Sequence, residues 1–486
     1  MADFDETWLL NQNAARCILV EAVARVSAVE TVRYLSTQNY HDSTSSRVYN
    51  PIVIGSSVQV DSKMALEGGS SLSFGTIDLD NTNGDIDAWL DDIWTNRNVN
   101  VYLGDVTWAR SSYVLLFSGV VEDIDSKDNG TLSIKIRDKL ERLNAPVSEE
   151  KLGGGTENKN ELIPLAFGEV HNLRPLLTNP STLEYQYHNG PSERVIEVRS
   201  NGVPVTNTPS LSTGKFTLSV NPQSATITAS VQGDKPNGTY TNTVGSIIQR
   251  LVTGYGSNTR FTSGDLDAAS LATFEAANTQ AIGVYLSGRE NVRSLCNDIA
   301  ATIGSQMVMT RAGKMKLIKL ELPAPGTPFE ITTADIYENT LKISERLLVE
   351  AAQKIGYNKN WTVQDALDTG IPQEHKDLFA KEWKSVVSED ATTKTVYKLS
   401  AEPVQKDTYL LTEAEATTEA ARLRDLYKTP RNVFVFEGKP RLVELQLGDA
   451  VTLTHPRFDL AGGVNGMVIG MQVNWDTLDV RVEVLT

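Results

Sequence analysis

Residues 287–320 read SGRENVRSLCNDIAATIGSQMVMTRAGKMKLIKL. Val292, Leu295, Ile299 and Ile303 recur at steps of three and four, which predicts a helix with one apolar stripe, and Gly304 stands where a helix-ending glycine belongs. Beyond it, 306–310 and 314–320 alternate apolar and polar positions, with Met307, Met309, Met315 and Leu317 on the apolar side, the period of half-buried strands. Arg311, Ala312 and Gly313 form the turn between them, and 311–314 is expected to be an exposed turn. Cys296, beside Leu295, is expected in the core. A helix running into a hairpin predicts a small α/β unit.

Outward from that stretch the texture differs on either side. Runs at 16–24, 31–35, 57–60, 71–79, 99–103, 113–123 and 131–137 are rich in β-branched and aromatic residues and are separated by Gly, Asn, Asp and Ser clusters, so an antiparallel β domain is expected over 1–150. One helix is predicted inside it over 86–95, from Ile86, Leu90, Ile93 and Trp94, and a short closing helix over 138–143. Gly153-Gly154-Gly155-Thr156 opens a polar linker. A second strand-rich block at 151–242 carries Asn201-Gly202, a hairpin turn signal. The α/β unit occupies 243–330, with helices predicted over 244–252 and 265–275 and a strand over 282–286. The remaining 331–486 is expected to be β again, with strands at 433–436, 451–454, 466–472 and 479–485. It contains a helical insertion in which Thr412 and Glu415 have capping-box spacing. The fold class expected is mainly β with α+β and several domains.

Composition sets the outer limits. A chain of 486 residues exceeds one ordinary core, and 40% hydrophobic with 22% charged residues describes folded material. No segment approaches the apolar length of a membrane helix, and Asp3, Asp5 and Glu6 stand where a secretory signal needs positive charge. The net charge of -16 opposes general affinity for nucleic acid, which depends on Lys and Arg displacing counterions. Such a balance most often serves solubility alone, and it would also suit a conduit that a polyanion must traverse without sticking.

Chemistry is sparsely represented. Cys17 and Cys296 are the two cysteines, both in apolar runs, and the five histidines (His41, His171, His188, His375, His455) are scattered, so no metal site is expected from neighbouring residues. The glycine run lacks the Gly-Lys-Ser/Thr ending of a phosphate loop. Acidic loops at 78–84 and 123–130 invite calcium, but with Gly84 at the sixth loop position Leu79 and Leu90 fall on ligand positions. With Gly130 there, Lys127 and Ile136 do. No Gly-x-Ser-x-Gly elbow occurs. No catalytic, cofactor-binding or metal-binding residue is therefore assigned, and an enzyme is not expected.

Four landmarks together resemble the hub proteins of long-tailed phage tails. FSGVVEDI at 117–124 followed by LSIKIRDKL at 132–140 is similar to the pattern of tail β domains. IPLAFGEVHNLRP at 163–175 is similar to a segment of siphophage tail-tip proteins, and 287–320 is the third landmark. LQLGDAVTL at 445–453, after 420–427 and Thr429-Pro430-Arg431, is similar to the hub's last tube-like domain. The resemblance implies two β-barrel-like tube domains per subunit and a homo-oligomer, a trimer rather than a hexamer. That trimer would close the distal end of the tail tube, with the tube or distal tail protein above and spike or fibre proteins below. It implies a virion protein, assembled in the host cytoplasm, through which DNA passes without specific binding, and with no cofactor and no membrane segment. A hexameric distal tail protein is the structural alternative. A glycan-binding or glycan-cleaving tail protein, with Trp89, Trp94, Trp108, Trp361 and Trp383 as stacking residues, is the other. A fibre-like extension as in longer hubs is not expected, and the two separated cysteines do not match the clustered cysteines of the iron–sulfur tail-tip subunit.

Overall fold

A computed structural model of the chain describes residues 6–11, 13–42, 44–66, 72–155, 158–258, 260–365 and 367–486. Asp3, Asp5, Ser71 and Thr156, used in the sequence reading, lie outside them.

Alternating apolar residues in the first and last parts of the chain build one 13-stranded sheet rather than two. Its path runs Val29–Ser36, Arg16–Val26, Asn98–Asp105, Val114–Asp128, Thr131–Arg137, Leu72–Asp80, Gln59–Lys63, then Val464–Asn474, Val480–Leu485, Arg431–Gly438 and Lys342–Leu347. Ala450–Leu453 pairs with Val464–Asn474 and carries Phe329–Ile331 in parallel on its other side. The mainly β character with a smaller α/β unit is as expected. The two β-barrel-like halves, however, form no closed barrel among the described residues. Each leaves an edge open, and the inner edges satisfy one another's backbone groups, which removes the exposed N–H and C=O rows of a free strand. Both halves drain into one core, where Trp94, Ile134 and Ile136 meet Phe434, Phe436 and Val482.

The predicted helix over 86–95 is a five-residue 3-10 turn, Asp87–Asp91. Its apolar residues do not share a face: Ile86 and Trp94 are buried, whereas Leu90 and Ile93 are 45% and 55% exposed. The backbone of Ile93 is instead bridged to Arg25. The closing helix is a 3-10 turn as well, Lys139–Leu143, with the Asp138 side chain accepting from the Leu140 amide.

Between the halves, a five-stranded sheet has Ile227–Asp234 as its middle strand, followed by Leu165–Leu173 and then Gly283–Leu286 at one edge. Asn201 and Gly202 take positive φ of 46° and 86°, making the tight turn between Ser192–Ser200 and Val203–Pro204. Helices Val244–Gly254 and Val292–Ala301 pack their apolar stripes into a second core. Val292, Leu295, Cys296 and Ile299 join it from the latter helix, and Ala416 and Ala420 join it from helix Glu413–Tyr427. Thr412 caps that helix, but Glu415 bonds the Thr412 hydroxyl (2.7 Å) and the Ala281 amide (3.3 Å).

Candidate functional site

The geometry that joins the molecule lies where the halves meet. Gln59–Lys63 runs antiparallel to Val464–Asn474, with Val60 opposite Val473, Asp61 opposite Gln472 and Ser62 opposite Met471. Behind this seam sits the hairpin Ser305–Met309/Met315–Lys319. Its tip, expected to be exposed, is docked. Arg311 donates to the carbonyls of Val443 and Leu445 (2.8 Å to the latter), and its guanidinium lies 5.3 Å from the Trp475 ring centre. Lys316 reaches the Leu447 carbonyl at 3.2 Å. On the opposite side the Gln306 side chain exchanges two hydrogen bonds with the Ala65 backbone. Gly313 has φ 65°, and a Cβ there would stand 2.6 Å from the Ser118 carbonyl, so the turn is pressed onto Val114–Asp128. The hairpin thus touches both halves at their joint.

A partly open cavity of about 60 Å³ lies there, lined among others by Ser62, Ser73, Ser118, Asp138, Arg311 and Trp475. Burial pushes the Asp138 carboxyl up to about 7, although it accepts from the amides of Ser73 (2.7 Å) and Leu140 (3.0 Å). Burial brings Arg311 down to about 10 and shifts Lys316 downward. At about 60 Å³ the cavity is far below the several hundred Å³ of a small-molecule site. Chemically it is a polar joint.

The group closest to catalytic geometry is His188, whose Nε2 is 3.4 Å from Asp234 Oδ1. Burial raises the Asp234 carboxyl, but bonds from His188 and Arg250 outweigh it and hold the carboxyl below its ordinary value. His188 Nδ1 accepts the Ala166 amide (3.1 Å), so the ring is fixed to the backbone and faces no Ser or Cys nucleophile in hydrogen-bond reach among the described residues. Among the described residues no three His, Cys, Asp or Glu gather as a metal site. Both thiols are buried, which raises their pKa. The acidic loops are turns: Asp80 accepts from the Thr82 amide (3.0 Å) and Asp128 from that of Gly130 (2.9 Å). Gly153 and Gly154 take positive φ in open space. The tryptophans considered for stacking make contacts within the protein. Trp94 pairs with Trp89, Trp108 with Trp8, and Trp361 with Tyr409, while Lys359 sits 4.3 Å and 5.1 Å from the rings of Trp361 and Trp383.

Two surfaces remain. On the side of the central strands facing away from the large core, the exposed cations are matched by carboxylates. The pairs are Lys63 with Glu483 (2.8 Å), Lys127 with Asp78 (2.6 Å), Lys135 with Asp125 (2.5 Å), Arg137 with Glu122 (2.6 Å) and Arg481 with Glu437 (3.8 Å). At the ends of the path, Val29–Ser36 and Lys342–Leu347 each pair on one side only within the sheet, and five of the six residues of the latter are exposed. Neither the seam residues Asp138, Arg311 and Lys316 nor these edges were identified from the sequence, because all depend on pairing between distant segments.

No protein-family model matches the chain, and no curated protein does. Among solved structures it is similar to the 43 kDa tail protein of prophage MuSo2 from Shewanella oneidensis, at 10% identity and TM-score 0.42 over 96% of this chain and 98% of that one. It is likewise similar to a tail protein from Neisseria meningitidis MC58, at 9% identity and TM-score 0.41 over 96% of each chain. A third is prophage tail protein gp18 from Listeria monocytogenes EGD-e, at 9% identity and TM-score 0.45 over 96% of this chain and 94% of that one. All three of these structures are described as tail proteins. No helix among the described residues is long and apolar enough to cross a membrane.

Proposed function

We propose that this chain is a structural protein of a phage tail, the baseplate or tail-tip hub, acting by shape and symmetry. The observation that carries the reading is the single open sheet. Strands from the first and last β regions, 1–150 and 331–486, lie side by side in it; at one end Lys342–Leu347 pairs on one side only, and at the other Val29–Ser36 is met on its outer side only near Leu35, by residues 50–53. Three such subunits joined edge to edge would present six β units in a ring, which suits a sixfold tube above and a threefold spike or fibre below. The four sequence landmarks, in order along the chain, support the same reading. The paired charges of the sheet's outer face give a polyanion few free cations to displace counterions, as a channel for passing DNA requires.

Native mass spectrometry and negative-stain imaging test this. Three subunits in a ring with a central hole are expected. Six would favour the hexameric distal tail protein, and a compact monomer at high concentration would overturn both. Release of sugars from peptidoglycan or capsule by the purified protein would overturn the non-enzymatic role.

A further inference from the structure

The two ends of the sheet differ in shape and charge. Beside the edge Val29–Ser36 projects the segment 85–93. It is anchored by buried Ile86 and Trp94, by the Asn81 side chain bonded to Asp87 (2.6 Å) and to the Ile86 amide (3.1 Å), and by Trp94 Nε1 donating to the Trp89 carbonyl (2.8 Å). Arg33 braces it from the edge strand, 2.9 Å from Asp92 and 4.7 Å from the Trp89 ring. The anchoring leaves Leu90 and Ile93 exposed at the crest, with Asp85, Asp87 and Asp91 exposed around them. This is a rigid acidic knob with an apolar tip.

Beside the opposite edge, Lys342–Leu347, lies a groove of about 450 Å³. Tyr337, Leu341 and Phe458 supply apolar lining, and Lys439, His455 and Arg457 supply the polar lining, with Glu338 the one carboxylate in the wall. The Lys439 ammonium donates to the Ala334 carbonyl (2.6 Å), and Arg457 lies 5.5 Å from the Phe458 ring. Phe458 and Asp459 both take φ of 60°, a conformation costly for a side chain of that size, and the Phe458 ring stands 42% exposed. On a chain of net charge -16, a groove wall with more cations than anions is out of keeping with the rest.

We propose that the knob at 85–93 of one copy of this chain seats in the groove between 333–341 and 455–458 of the next copy. The apolar crest would lie on Phe458 and Leu341, and the aspartates would face Lys439 and Arg457. Because knob and groove flank opposite ends of the sheet, the contact is head to tail, and repetition by rotation closes a ring. The proposal rests on the ring reading above and specifies the contact that makes it.

Charge reversal tests it on the full chain by native mass and sedimentation across a concentration series. Asp85→Lys with Asp91→Lys, or Arg457→Glu alone, is expected to raise the concentration for half-assembly by about tenfold or more, since like charges then meet. All three changes in one chain restore assembly. A disulfide between Leu90→Cys and Phe458→Cys is expected to give a covalent ladder ending at the native oligomer, with the buried Cys17 and Cys296 silent. Near-UV circular dichroism checks that each variant is folded. A wild-type ring unaffected by either reversal, or a folded triple variant that stays dissociated, overturns the knob-and-groove contact and leaves the ring reading standing. A wild-type protein monomeric throughout overturns both.

Discussion

At the residue scale, Arg311 and Asp138 carry the joint. Arg311 has two carbonyl partners and an indole beside it, so Arg311→Ala strips a charge-assisted donor from the Val443 and Leu445 carbonyls inside the fold. The expected loss is about 2–4 kcal/mol by denaturant unfolding, and Arg311→Lys recovers only part of it, because an ammonium cannot reproduce the planar fork. Asp138 gives a pH signature. Unfolded, it titrates at about 4; folded, burial holds it up at about 7. Between those values the folded state keeps a proton that the unfolded chain has released. Its contribution is therefore most favourable below about 4, declines as pH rises, and levels off above about 7. Asp138→Asn, which keeps a capping oxygen, removes that decline. The variant is expected to gain on wild type as melting temperatures are followed from pH 4 to 7.5. Curves that stay parallel would show that Asp138 ionises normally.

At the element scale, what was legible was local. The stripe of Val292, Leu295 and Ile299, the αL Gly304 and the alternation after it set helix and hairpin correctly, because each signal is complete within a few residues. Ser305–Met309, however, is buried on both faces rather than half-buried, with Met307 and Val308 in different cores. The same reasoning failed over 86–95. Four apolar residues had helical spacing there, yet Ile86 and Trp94 serve the core while Leu90 and Ile93 face out, a division that only the neighbouring Arg25 strand decides. The exposed turn at 311–314 failed for a related reason, since its partners lie more than 130 residues away in the chain. Two substitutions separate local from tertiary terms in this element. Asn291 caps the helix by accepting from the amides of Arg293 (3.0 Å) and Ser294 (3.2 Å), so Asn291→Ala is expected to cost about 1 kcal/mol. Gly313→Ala meets both a positive φ and the Ser118 carbonyl, and is expected to cost more than the lost cap. Equal losses in thermal unfolding would mean the tip is not pressed on the strand beneath.

At the scale of the whole molecule, the consequence of one sheet built from both ends of the chain is shared stability. QVDSK at 59–63 and the strand some 400 residues later carry no mark of each other in sequence, yet Val60, Val473 and Val480 occupy adjacent strands over the core that also holds Ile134 and Phe434. A carboxylate placed in that seam must be desolvated or expelled, and expulsion opens the sheet at its middle. Val473→Asp is therefore expected to lower the protection of amides in Thr131–Arg137 and in Arg431–Gly438 together, by similar factors, when hydrogen exchange is followed by mass spectrometry. Domains that merely adjoin would behave otherwise: Arg431–Gly438 would lose protection while Thr131–Arg137 kept it, and the unfolding transition would split in two. A single loss shared by both strands would mean that the subunit enters any ring as one rigid plate, so that its curvature must come from the contacts between copies rather than from a hinge within each.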